Sequence, residues 1–297
     1  MKIKVPATSA NIGSGFDALG IALTMYNEIE IEESDVLDIA SLDAVQVPTT
    51  EDNLIFQSVC RLYCECGKPA PKGIKIRQTN AVPMARGLGS SSTCVAAGLL
   101  GANELLGNPL SKDDLVNIAC SIEGHPDNTT PALLGGLTAA AVEDNKVYAV
   151  TLHVADKFRF AAFIPSFELK TSVARGVLPQ SVSRQDAVYN LSRSALMAGS
   201  LATGNTENLH IAVQDKLHQP YRLGLIPGAN DIFDLSYEYG SLATYISGAG
   251  PTIMAIIRRR DEKFESVVSE QLRQRGLNDW HVTVLDVDSR GAYISAR

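Results

Sequence analysis

No run in the 297 residues approaches 18 consecutive apolar side chains, so nothing in the chain reads as a membrane-spanning helix. The opening Met1-Lys2-Ile3-Lys4-Val5-Pro6 lacks the apolar core of a secretory signal, and the expected setting is the cytoplasm. A basic surplus is also missing. The net charge is −7, which argues against a nucleic-acid partner, since neutralising a phosphate backbone takes clustered Lys and Arg. It does not exclude a small anion, because a local pocket can be positive on an acidic protein. The five cysteines, Cys60, Cys64, Cys66, Cys94 and Cys120, are odd in number and suit reduced thiols better than a disulfide framework. Zinc spacing is absent as well, with no second Cys/His pair to complete a site. Neither an internal repeat nor a low-complexity linker interrupts the chain. Its length suits two domains, and the expected division near residues 154–158 gives 1–155 and 156–297.

What is present mixes strands and helices without a regular βαβ rhythm, which favours an α+β fold. Strand patterns cover Lys2–Pro6, Leu19–Met25, Asn27–Glu32, Gly73–Gln78, Gly135–Val142, Val147–Leu152, Phe158–Ile164, Ile253–Arg258 and His281–Val287. Helical spacing covers Asn53–Cys66 and Ser91–Leu106, the latter closed by Gly107-Asn108-Pro109. Ser111 with Asp114 reads as a capping arrangement for a helix through Ile122. Further helices are expected at Arg184–Leu201, Glu207–Leu217, Ala229–Tyr239 and Glu262–Arg275.

One stretch carries more chemistry than any other: Pro83-Met84-Ala85-Arg86-Gly87-Leu88-Gly89-Ser90-Ser91-Ser92-Thr93. Gly87 and Gly89 can adopt positive φ and let the backbone approach a ligand closely. The helix that follows turns its free N–H groups and positive dipole end toward the same place, which is how a chain builds a phosphate site. No Lys follows the glycines, so this is not a Walker A loop. A second glycine turn, Ser247-Gly248-Ala249-Gly250-Pro251-Thr252, leads into a strand, where a dinucleotide fingerprint would open a helix.

These two loops, with Pro6-Ala7-Thr8-Ser9-Ala10-Asn11-Ile12-Gly13-Ser14-Gly15-Phe16-Asp17-Ala18-Leu19-Gly20 ahead of them, resemble the three ordered motifs of the GHMP kinase superfamily. Within it the chain is similar to the homoserine kinases. That resemblance rests on Glu123-Gly124-His125-Pro126-Asp127-Asn128, Pro131-Ala132-Leu133-Leu134-Gly135-Gly136, Thr171-Ser172-Val173-Ala174-Arg175 and His218-Gln219-Pro220-Tyr221-Arg222. It implies a two-domain fold, with an N-terminal domain like domain 2 of ribosomal protein S5, a ferredoxin-like C-terminal domain and the active site between them. The implied reaction is ATP-dependent phosphorylation of the L-homoserine hydroxyl on the route to threonine, with Mg²⁺, in a homodimer.

The roles follow residue by residue from the resemblance. Pro83, Met84, Ala85, Arg86, Gly87, Leu88, Gly89, Ser90, Ser91, Ser92 and Thr93 would wrap the triphosphate, and Asn53 would line the base pocket or simply cap its helix. Ser91 and Glu123 would hold Mg²⁺, a hard cation that takes few protein oxygens. The substrate would lie among Asn11, Asp17, Asn128, Arg175 and Arg222, with Asp17 on the ammonium and both arginines on the carboxylate. The implied catalytic set is Asn128, Arg175 and Thr171, with Thr171 touching the transferring phosphate. A general base is harder to name. Asn128 stands where relatives place an Asp, Asp127 is adjacent, and His125 sits in a Gly/Pro-bounded turn that suits a structural role. Two alternatives stay open: another GHMP small-molecule kinase, or a non-catalytic GHMP-fold binding protein.

Overall fold

The structure is a computed structural model that describes residues 1–295. The chain begins with β1 (Lys2–Ala10), β2 (Leu19–Glu33), β3 (Asp38–Ser41), α1 (Leu54–Glu65) and β4 (Ile74–Asn80). It continues through α2 (Ser90–Leu105), α3 (Lys112–Glu123), α4 (Pro126–Leu134), β5 (Leu137–Glu143) and β6 (Lys146–Leu152). Then follow β7 (Phe158–Pro165), α5 (Thr171–Gly176), α6 (Arg184–Thr203), α7 (Leu209–Ala212), α8 (Gln219–Arg222) and α9 (Ala229–Glu238). Last come β8 (Ala243–Ile246), β9 (Ile253–Arg258), α10 (Phe264–Gln274), β10 (Trp280–Leu285) and β11 (Tyr293–Ser295).

Two sheets organise these elements. The first runs β11-β1-β2-β4-β3, with β5 also on β2 and β6 on β5. The second is antiparallel in the order β10-β7-β9-β8, which in its own strands is the 4-1-3-2 arrangement of a ferredoxin-like sheet. The result is a two-domain α+β architecture, as the resemblance implies. Ile3, Val5, Ile29, Ile31 and Ile76 of the first sheet pack against Ile55, Val59, Val95 and Leu99 of α1 and α2. Phe163, Ile253 and Ile257 of the second sheet pack against Ile232 and Leu235 of α9 and Val268 of α10. A third cluster, including Ile21, Leu23, Leu88, Phe160, Tyr245 and Met254, joins the two sheets.

The local chemistry of the helix starts is as the sequence suggests. Asn53 caps α1, accepting from Ile55 and Phe56 N–H, and Ser111 with Asp114 forms a full capping box on α3. Elements β3, α5, α8, β8 and β11 are absent from the expected set, and three others differ in form. The runs at 19–25 and 27–32 are one 15-residue strand, whose start pairs with β5 and whose end pairs with β4. Its register on β1 shifts between Pro6 and Ala7, at the residue that has no N–H to donate. The segment around Pro126, expected as a turn, is α4, with Pro126 in its first turn, where a missing N–H costs nothing. The helix expected over 207–217 shrinks to Leu209–Ala212. The cause is the Asp215 carboxylate, which takes the N–H groups of Leu217, His218 and Gln219 and starts α8 instead.

Candidate active site

The loop after β1 holds three non-glycine residues in the left-handed region: Asn11 at φ 70°, Ile12 at 41° and Asp17 at 51°. Each costs roughly 1–3 kcal/mol and persists only where surroundings enforce it. Here Asn11 Nδ2 donates to Gly248 O at 2.8 Å, Asn11 Oδ1 accepts from Asp17 N–H at 2.9 Å, and Ile12 is fully buried. The Asn11 amide is thus engaged at both ends in holding the loop against the Ser247–Thr252 glycine turn.

The Gly/Ser loop is clamped from two sides. Gly89 has φ +70° and precedes α2, and a Cβ there would overlap the Thr8 hydroxyl of β1. A Cβ on Gly87 would overlap the Ser247 carbonyl oxygen. Ser247 Oγ donates to Gly87 O at 2.6 Å. The Arg86 guanidinium bonds Met84 O, Pro165 O and Ser166 O, so it anchors the loop to the end of β7. The first turn of α2 keeps free N–H groups at Ser90, Ser91 and Ser92, with the positive end of the helix dipole behind them.

Beside that turn, Ser91 Oγ donates to Glu123 Oε1 at 2.5 Å and Ser92 Oγ to Glu123 Oε2 at 2.9 Å. Two hydroxyls and a carboxylate meeting at a helix N-terminus form an all-oxygen donor set, which fits a hard divalent cation. Glu123 ends α3, and Gly124 breaks the helix so that the chain can re-enter the cavity at His125. His125 Nδ1 lies 2.6 Å from the buried Asp127 carboxylate. Burial opposes charge on this imidazole, but the Asp127 hydrogen bond and the fields of Asp127 and Glu123 prevail and raise its pKa. Next along α4, Asn128 Oδ1 accepts from Thr8 Oγ1 at 2.7 Å, which leaves its NH₂ for the cavity.

Two arginines complete the site. Arg175, on α5, grips Asp17 with two bonds of 2.7 and 3.0 Å. Arg222, on α8, is 1% exposed and has no carboxylate within ion-pair distance among the described residues. Its Nε donates to Ala174 O and its Nη1 to Gly248 O, and it lines the cavity. Burial, helped by the nearby Arg175 charge, lowers its pKa to about 10, so it remains a cation at neutral pH.

One cavity collects Asn11, Asp17, Ala85, Arg86, Gly87, Gly89, Ser90, Ser91, Ser92, Glu123, Asn128, Thr171, Arg175 and Arg222. Asn53 and Met84 fall in a neighbouring cavity, with Val47, Leu54 and Cys94, that shares Ala85, Ser90 and Ser91 with the first. Pro83, Leu88 and Thr93 line neither. Leu88 and Thr93 are fully buried, and Thr93 accepts from Asn27 and donates to Ser90 O, so they shape the loop from behind. Residues outside the expected site set are also here. His125 and Asp127 line the cavity, and Thr8 holds Asn128. Thr8 lay inside the first quoted motif, but only the fold reveals its partner.

A family model for the GHMP kinase N-terminal domain matches residues 53–136, and one for the GHMP kinase C-terminal domain matches residues 191–274. The chain is 43% identical to a homoserine kinase of Caldicellulosiruptor saccharolyticus, over 99% of this chain and 96% of that one. It is 46% identical to a homoserine kinase of Clostridium beijerinckii, over 98% and 97%. The crystal structure of a homoserine kinase from Cytophaga hutchinsonii superposes with a TM-score of 0.88 at 29% identity, covering 99% of this chain and 97% of that one.

Proposed function

The chain belongs to the homoserine kinases of the GHMP kinase family, and from that premise we infer that it transfers the γ-phosphoryl group of ATP to the side-chain hydroxyl of L-homoserine. The observation that carries this reading is the composition of a single cavity. It brings together a helix N-terminus with Ser91 and Glu123 and the charged group Asp17, Arg175 and Arg222. The first set suits a triphosphate and the second an amino acid bearing both charges. A neutral sugar would leave the buried Arg222 without an anion, and mevalonate, which has a carboxylate, would leave Asp17 without an ammonium.

The N–H groups opening α2 would bind the phosphate oxygens, and the cavity around Asn53 would take the base. Ser91 and Glu123 would hold Mg²⁺, which when bound supplies charge neutralisation for the transferring group. Asp17 would take the substrate ammonium, and Arg175 and Arg222 its carboxylate. Asn128, its amide oriented by Thr8, would direct the hydroxyl, with Thr171 beside the phosphate. The Asp127 carboxylate is held by His125, and Asn128 is an amide, so the hydroxyl would attack without a protein base and release its proton to a phosphate oxygen or water. A domain division after residue 155, a homodimer and a cytoplasmic setting complete the reading.

An ADP-release assay with Mg-ATP tests it across L-homoserine, L-threonine, L-serine, mevalonate and galactose. Turnover confined to homoserine is expected. Preference for mevalonate or galactose would sink the assignment of substrate, and no turnover on any would favour a binding protein.

A further inference from the structure

His218 is fully buried beside the cavity, yet no step above uses it. Besides the Asp215 carboxylate, 3.7 Å from Nε2, its ring has two hydrogen-bonding neighbours of opposite kind. Nε2 lies 2.7 Å from Gly13 O, which can only accept, so Nε2 carries the proton. Nδ1 lies 3.2 Å from Arg222 Nη1, which can only donate, so Nδ1 is bare. Both contacts are satisfied together only by the neutral Nε2–H tautomer. Burial agrees, since it lowers the pKa of this imidazole against the pull of Asp215. The ring stacks on Phe16 at 5.2 Å between centroids, and Arg222 lies over the same Phe16 ring at 5.3 Å.

We propose that His218 is a positioning residue for the substrate carboxylate: its bare Nδ1 fixes the rotation of the Arg222 guanidinium, and its Nε2–H ties that arginine to the Gly13–Asp17 loop. The guanidinium has five protons. One from Nε goes to Ala174 O, and the two on Nη1 go to Gly248 O and His218 Nδ1. The Nη2 protons have no hydrogen-bond partner among the described residues and are left for an anion. Without His218, the two carbonyls still hold Arg222 by one edge, but the plane of its fork is free to turn. The inference rests on the reading that Arg222 binds the carboxylate.

The test compares His218→Gln, His218→Asn and Arg222→Met in the full chain. A Gln amide can reach where Nε2 sits and keep the Gly13 bond, whereas an Asn oxygen can stand in for Nδ1 and keep the Arg222 bond. Each is assayed with L-homoserine and with 3-aminopropan-1-ol, which is homoserine without its carboxylate, as substrate or competitive inhibitor. For His218→Gln the homoserine KM is expected to rise about tenfold, the scale of one hydrogen bond to a charged group. Its kcat, its ATP KM and its affinity for 3-aminopropan-1-ol are expected to stay unchanged, and the homoserine KM of His218→Asn, which loses only the Gly13 tie, to rise less. Equal losses in both variants, or losses shared by 3-aminopropan-1-ol, would overturn the proposal in favour of a purely structural histidine. If Arg222→Met leaves the homoserine KM intact, the carboxylate reading fails and the proposal with it. If Arg222→Met raises that KM and His218→Gln does not, the proposal alone fails. Should the variants not fold, ¹⁵N NMR of the wild-type imidazoles at pH 7 decides. The Nε2–H tautomer is expected for His218, and an Nδ1–H or doubly protonated ring overturns the proposal.

Discussion

Asp17 and Arg175 hold each other across the cavity by two parallel hydrogen bonds, Nη2 to Oδ1 at 2.7 Å and Nη1 to Oδ2 at 3.0 Å. Their side chains are 33% and 37% exposed, so the pair contributes less than about 1 kcal/mol to stability. Its arrangement matters more than its strength. An acid and a base side by side match the two charges of a free amino acid, one for one.

Asp17→Asn should therefore barely move the melting temperature yet raise the homoserine KM by about 10- to 100-fold, the scale of a lost charge-assisted bond. The ATP KM should hold steady. Thermal melts beside steady-state kinetics check this, and a large fall in stability with an unchanged KM would contradict it.

Glu123→Gln keeps the shape of the site and removes the charge that faces Ser91 and Ser92. The expected result is a kcat lower by about 100-fold or more, as for loss of a charged group at a phosphoryl-transfer centre. The Mg²⁺ concentration needed for half-maximal rate should rise. A magnesium titration at saturating ATP reads both.

Gly89→Ala must place a Cβ at φ +70° against the Thr8 hydroxyl. The backbone term alone is roughly 1–3 kcal/mol, and the overlap pushes on both the phosphate loop and the Thr8–Asn128 contact. Lower stability together with weaker ATP binding is expected, measured by chemical denaturation and calorimetry. Ala at Gly107, where nothing lies within 4 Å, should share only the backbone term.

Asp127→Asn separates a base from a structural carboxylate. Loss of the His125 contact should cost some rate, but substantial turnover is expected to survive in folded protein that binds both substrates. Complete loss of turnover in such protein would make Asp127 the base.

His125 has a folded pKa above its usual 6.5, so its partnership with Asp127 stabilises the protein fully below pH 6.5 and fades as pH rises through the folded value. Compared with His125→Gln, wild type should show its largest advantage in urea midpoint at pH 5.5–6. The advantage should shrink steadily toward pH 9. A gap that widens with pH would reverse the sign and refute the pairing.

Much of the frame was legible because its signals are local. Asn53, Ser111 and Asp114 announce helix starts in a handful of residues, and the glycine loop announces an anion site before its helix. What stayed hidden depends on distant partners. Pro126 reads as a break until the chain around it is seen to enter a helix at its first turn. Asp215 reads as one more polar residue in a helix until its carboxylate is found gathering three N–H groups. In the site, the residue types near the cavity were readable but not their mutual bonds. Asn11 holds the loop, Arg86 reaches the second sheet, and Asp17 and Arg175 hydrogen-bond each other.

The short strand β11 lies on the outer edge of β1, with Lys2 opposite Ser295 and Lys4 opposite Tyr293. During synthesis, then, β1 leaves the ribosome long before its partner β11. Until Tyr293–Ser295 emerges, β1 presents a bare row of peptide groups to the cell, and a nascent or truncated chain lacking those residues keeps an edge that other strands can join.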